Sequence, residues 1–123
     1  MRYLVILTAV QPETPPPPEL MEAIMKLGEK ASRAGVLLDT AGLAPSAAGS
    51  RVQLYAGELS VTDGPFTEAK EMISYALYEV RSKEEVIEWT SRFIRLHRDL
   101  WDGWQGTAEI RKVLGPADMP PLG

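Results

Sequence analysis

The sequence predicts an α+β fold in the order βαββαβ, an antiparallel sheet with both helices on one face. Three observations predict it. Short apolar runs of strand length alternate with two longer runs whose apolar residues recur at steps of three and four. Gly and Pro punctuate the boundaries between these runs. The runs "YLVILTA" and "ISYALYEV" are apolar on both faces, so each strand demands cover on two sides.

The first strand is Tyr3 to Ala9, with Tyr3, Val5 and Leu7 pointing one way and Leu4 and Ile6 the other. "QPETPPPPEL" stops it, because consecutive prolines lack a backbone donor and hold an extended chain. This stretch reads as a stiff connector ending in proline at a helix start, or as a proline-rich ligand for a partner domain. From Glu19 the positions Leu20, Ile24, Leu27, Ala31 and Ala34 form the stripe of an amphipathic helix that Gly35 stops. "VLLDTAGL" is a short strand and "SAAGS" a small-residue loop. "RVQLYAGELSV" is a hairpin that turns at Ala56-Gly57.

Ile73 to Val80 supplies the next strand. "SKEE" opens the second helix as a capping box, Ser82 accepting from the Glu85 amide and Glu85 reaching back to Ser82. Val86, Trp89, Phe93, Leu96 and Leu100 mark its buried stripe, and Glu88 with Arg92 forms an i, i+4 pair on the wet side. "TAEIRKVL" is the last strand, and "GPADMPPLG" reads as a loose tail.

This order fits a ferredoxin-like sheet, a single domain over residues 1–114 with a flexible tail over 115–123. Its 123 residues suffice for a core without disulfide or metal staples. The chain contains no cysteine, which excludes disulfides, thiolate nucleophiles and cysteine-based metal centres. A net charge of -4 with scattered basic residues argues against nucleic acid as a partner. The N-terminal apolar run is too short to span a bilayer and lacks signal-peptide features, so a cytoplasmic protein without a membrane partner is expected.

Two helices cover one face of the sheet, so the other would expose apolar side chains such as Tyr75, Leu77, Val5 and Leu7, or their alternates. A homodimer joined sheet to sheet answers that exposure. Burial of ~600 Å2 of apolar area per chain would be worth ~15 kcal/mol before association costs.

The segments "MRYLVILTAV", "AGVLLDTAGLAPS", "VTDGPFTEAKEMISYALYEVRSKEEVIEW" and "TAEIRKVL" together resemble the YCII-related family, in the branch named for its DGPF motif. The resemblance implies the dimeric α+β barrel form of the ferredoxin-like fold. Relatives of the YciI-like branch carry a histidine in the first helix, proposed with an aspartate as an active-site dyad. The helix "ELMEAIMKLGEKASRAG" has none, the corresponding region falling near Ile24, so the dyad does not carry over. Some relatives stand beside or are fused to extracytoplasmic-function sigma factors.

The candidate site is the corner "TDGPFTEAKE". Asp63-Gly64 is a turn dipeptide, Pro65 fixes the exit, Phe66 can anchor the loop in the core and Thr67 can cap the turn after it. Asp63, Glu68 and Lys70, with Phe66, could instead form the polar rim of a ligand site and carry acid–base chemistry. His97, the only histidine, is either a base or a packed side chain near a helix C-terminus. Asp39, with Tyr55 or Tyr75, could line the space between sheet and helices, or sit at a strand end in water. Trp89, Trp101 and Trp104 could wall a planar ligand, or serve as core, helix end and dimer seam. No metal site, phosphate loop or Ser-His-Asp set can be assembled, and no cofactor is assigned. The expected function is binding of a small, mostly apolar organic molecule between sheet and helices, with cofactor-independent acid–base chemistry as an extension. The alternative is a regulatory or scaffolding module acting through protein contacts, in line with the sigma-factor association.

Overall fold

The structure, a computed structural model, describes residues 1–66 and 70–119. Strand β1 (Arg2–Val10) leads through the prolines into helix α1 (Pro18–Arg33), then β2 (Leu37–Gly42), β3 (Ser50–Tyr55), β4 (Glu58–Asp63), β5 (Glu71–Glu79), helix α2 (Lys83–Leu100) and β6 (Gln105–Lys112). The main sheet has the order β2-β5-β1-β6, antiparallel at each pairing. This is the ferredoxin-like arrangement. β3 and β4 form a separate two-stranded hairpin inserted between β2 and β5.

Local chemistry explains the element ends. Pro17 is the N-cap of α1 and Pro18 its first residue, where a missing amide leaves no helical bond unmade. At the other end Gly35 takes φ 75°, its amide bonding Ser32 O, while the Val36 amide bonds Ala31 O. That Schellman closure buries Val36 against Ala31. The cap of α2 departs from the expected box. Ser82 Oγ accepts from the Glu85 amide at 3.2 Å, but the Glu85 carboxylate accepts from the Arg81 amide at 3.0 Å, not from Ser82. Glu88 and Arg92 meet at 3.1 Å as the spacing predicts.

Register decides which faces are covered. Tyr3, Val5, Leu7 and Ala9 are buried, and the first two cluster with Tyr78, Val80, Ala31 and Val86 beneath the helices. Antiparallel partners share a face, so Leu4 stands beside Leu77 and Ile6 beside Tyr75 on the opposite, open side. Tyr75 and Leu77 therefore share that face with Leu4 and Ile6, not with Val5 and Leu7. Edge strands bring charge to its margins, with Arg111 and Glu109 paired at 3.0 Å on β6 and Asp39 exposed on β2.

The buried side of α2 is rotated from the expected stripe. Val86, Thr90 and His97 are its buried residues, while Trp89, Phe93 and Leu96 are half-buried and Leu100 is exposed. The tail contributes one 3-10 turn, Pro116–Asp118, tied by the Gly115 amide to Asp118 Oδ2 at 2.9 Å. Among the described residues no helix is long and apolar enough to cross a membrane.

The hairpin turn Ala56-Gly57 holds both residues at positive φ, 50° and 79°, as a two-residue primed turn requires. Glycine adopts this freely, but alanine does so at a cost of about 1–2 kcal/mol. Ala56→Asn is expected to stabilise the hairpin by about 1 kcal/mol, read as a roughly fivefold slower amide exchange over β3 and β4. Unchanged or faster exchange would contradict the assignment of the turn.

Candidate functional site

Two concavities bear on function. The larger in chemical interest lies between the helices and the sheet, a cleft of about 440 Å3. Small side chains make it. Ser74, Ala76 and Ala108 line its sheet wall and Gly28 its helix wall, where longer residues would close the gap. A Cβ at Gly28 would meet nothing within 4 Å. Ile24 and Leu27 of the predicted α1 stripe consequently remain only half-buried, facing space rather than neighbours. Met21 and Met25, 48% and 65% exposed, add a flexible apolar lip.

Of the few polar side chains in this lining, one is buried and unpartnered. Thr90, 7% exposed, contributes to the α2 wall, and its hydroxyl is buried without a hydrogen-bond partner. A buried unpaired hydroxyl costs about 1–3 kcal/mol. Tyr78 is also in the wall, and burial pushes its hydroxyl pKa above the ordinary value, which keeps it neutral. Among the described residues the lining holds no carboxylate, lysine, arginine or histidine.

The second concavity, about 500 Å3, lies at the corner and is lined by Ser46, Arg51, Phe66, Lys70 and Glu71 among others. Its geometry is a clasp. The Glu71 carboxylate accepts from Ser46 Oγ at 2.7 Å and from the Ser46 amide at 3.3 Å, while Ser46 Oγ accepts from the Phe66 amide at 3.4 Å. The Gly64 amide bonds Gly49 O at 2.9 Å, and Ser50 Oγ donates to Asp63 Oδ1 at 2.8 Å. The loop "SAAGS" begins with a 3-10 turn, Ser46–Ala48, and a side chain at Gly64 would collide with the Ser46 carbonyl. Close approach, rather than unusual φ, demands glycine there. The Gly64-Pro65 peptide is cis.

The predicted residues therefore do not converge. Phe66 is half-buried with the Arg51 guanidinium 4.0 Å from its ring centroid, at the corner and not in the core. Lys70 is exposed in the corner wall; Asp63 is engaged at the hairpin foot and lines neither concavity. Glu68 and Thr67 fall outside the described residues. Asp39 accepts from the Tyr75 hydroxyl at 2.8 Å, and that carboxylate raises the Tyr75 pKa. Asp39 and Tyr75 thus meet on the open face of the sheet, away from the helices, Asp39 exposed and Tyr75 half-buried, and Tyr55 is exposed on the hairpin.

His97 is 4% exposed, its Nδ1 2.9 Å from Phe93 O, with the Phe93 ring edge-on at 4.7 Å and Trp104 tilted over it at 4.3 Å. Nδ1 thus carries the proton and donates to that carbonyl. Burial pulls its pKa below the ordinary 6.5, with the carbonyl partly opposing the shift. Trp101 closes the end of α2, its Nε1 donating to Thr14 Oγ1 at 3.4 Å, and Trp89 belongs to the cleft wall. Among the described residues no group of three or more carboxylates or histidines is placed to hold a metal.

Sequence reasoning missed Thr90, Gly28 and the two methionines. The available signals were a glycine seven residues before the Gly35 stop and a threonine one turn after Val86. The family model for the YCII-related domain matches residues 1–100 of the chain. No curated protein matches it.

Two outcomes test this description. Gly64→Ala is expected to lower stability by about 1–3 kcal/mol in urea denaturation, because Ser46 must shift and strain its tie to Glu71. His97 refuses a proton that the unfolded chain accepts between pH 6.5 and its own lower pKa. Stability should be full above 6.5 and fall as pH drops through that window, and His97→Phe should flatten this part of the profile.

Proposed function

Because the chain belongs to the YCII-related domain family, we propose a function from what its own cleft can hold: binding of a small, mostly apolar organic molecule between helices and sheet, in a homodimer. The observation that carries the reading is the buried, unpartnered Thr90 hydroxyl in a wall that is mostly apolar and, among the described residues, uncharged. A ligand with one hydrogen-bonding group that displaces the side chains covering that hydroxyl would satisfy it, and apolar contact with Ile24, Phe93 and Trp89 would supply the remaining affinity. The absence of charged groups in the described lining favours binding over acid–base chemistry. Asp63 and Lys70 do not belong to this site. The homodimer is supported by the open sheet face, where Leu4, Ile6, Tyr75 and Leu77 stand half-buried on the side opposite the buried Val5 and Leu7.

The rival role, a regulatory or scaffolding module acting through protein contacts, would leave the cleft unused, so the two readings separate experimentally. Calorimetric titration with 1-naphthol is expected to show saturable binding, with naphthalene, which lacks the hydroxyl, about tenfold weaker. Thr90→Val should remove that preference while raising the stability of the free protein by about 1 kcal/mol. Gly28→Leu should fill the cleft and abolish binding of both probes without unfolding the chain. Absence of saturable binding, or binding indifferent to Gly28→Leu, would favour the protein-contact role.

A further inference from the structure

The hairpin β3–β4 has one apolar face. Val52 pairs with Val61 and Leu54 with Leu59, and each of the four is 64–74% exposed. Arg51, Thr62, Gln53 and Ser60 occupy the opposite face, so the strands alternate as though one side were meant for burial. In the single chain that side faces water. A two-stranded hairpin is marginally stable on its own, and a contiguous apolar patch on a protruding element marks an interaction surface.

The same chain has a second apolar surface, the open sheet face of Leu4, Ile6, Tyr75 and Leu77, each half-buried. Size decides between using one surface and using both. Fully burying a valine or leucine side chain removes roughly 60–120 Å2 from water, so the hairpin four, 64–74% exposed, supply on the order of 250 Å2 and the half-buried sheet four roughly half of that or less. A stable interface needs about 800 Å2 per partner. The sheet face alone falls far short, and the hairpin supplies the larger share of what apolar area the chain has left to bury, so an interface that omitted it would be smaller still. A two-fold axis lets every patch be used twice, each chain giving and receiving the same contacts.

We propose that the β3–β4 hairpin is a dimerisation arm whose Val52, Leu54, Leu59 and Val61 face packs on a second copy of this chain. It extends the sheet-to-sheet contact, and the inference rests on the homodimer reading above. The hairpin's polar face stays in water. Its foot, fixed by the Ser50–Asp63 and Gly49–Gly64 hydrogen bonds, sets the direction in which the arm leaves the domain.

Sedimentation velocity over a dilution series of the full chain tests the arm. Leu54→Glu combined with Leu59→Glu is expected to weaken dimerisation at least about 100-fold, whereas Gln53→Glu with Ser60→Glu, on the polar face, should change it less than about threefold. Because the first pair could also loosen the hairpin, amide exchange of the unaltered chain provides an independent reading. Residues 50–63 should be protected at concentrations where the dimer predominates and lose protection on dilution into monomer. A dimer unaffected by the Leu54 and Leu59 changes, equal weakening by the polar-face pair, or hairpin protection independent of concentration would each overturn the arm and leave the dimer standing. A chain monomeric at every concentration would overturn both.

Discussion

How the gap between helices and sheet is filled decides most of the interior of this domain. A helix packed on a sheet stands off by roughly 10 Å, and side chains must fill that layer to the density of an organic crystal. Tyr3, Tyr78, Val80 and Val86 do so, clustered with Ala31 and Val36. Elsewhere the layer is lined by Ser74, Ala76, Ala108 and Gly28, which are too short to meet across it. The helices are held apart by large residues in one place and left without filling in another. The cleft follows from that unequal allotment of volume, and so does the isolation of the Thr90 hydroxyl.

Polar groups elsewhere in the domain are arranged for structure. The motif corner joins three segments through the Ser46 hydroxyl, which donates a hydrogen bond to the Glu71 carboxylate and accepts one from the Phe66 amide. His97 spends its donor on the Phe93 carbonyl and stacks between two aromatic rings. The Tyr75 hydroxyl is held by Asp39. Each of these residues draws the eye in a sequence because its type is chemically versatile. In the fold each already has a partner, and a side chain with its hydrogen-bonding capacity engaged by its own chain has less to offer a ligand than Thr90 does.

The legible part of the fold was the part written in periodicity and capping. β1 and β5, apolar on both faces, emerged as the central strands of the sheet, and Pro18, Gly35 and Ser82 marked helix ends where the structure has them. What the sequence left open depended on contacts between distant positions. Which alternate set of β5 joins Val5 is a matter of register with a strand about seventy residues away in sequence. The buried side of α2 centres on Thr90 and His97, because the packing partners of a helix, not its hydrophobicity alone, fix its rotation. A cleft made by missing side chains leaves no motif at all, and Ala76 reads the same whether it faces a neighbour or a void.

The clasp between Ser46 and Glu71 joins residues 25 positions apart and stands where β2 ends and β5 begins, with the Leu43 amide bonded to Ile73 O beside it. The excursion between these two points is thereby closed at its root. Loop closure entropy grows only slowly with length, about 0.6 kcal/mol for each doubling. Evolution could lengthen, shorten or resurface this excursion without disturbing the register of the main sheet, so the scaffold that carries the cleft is inherited intact whatever the hairpin becomes.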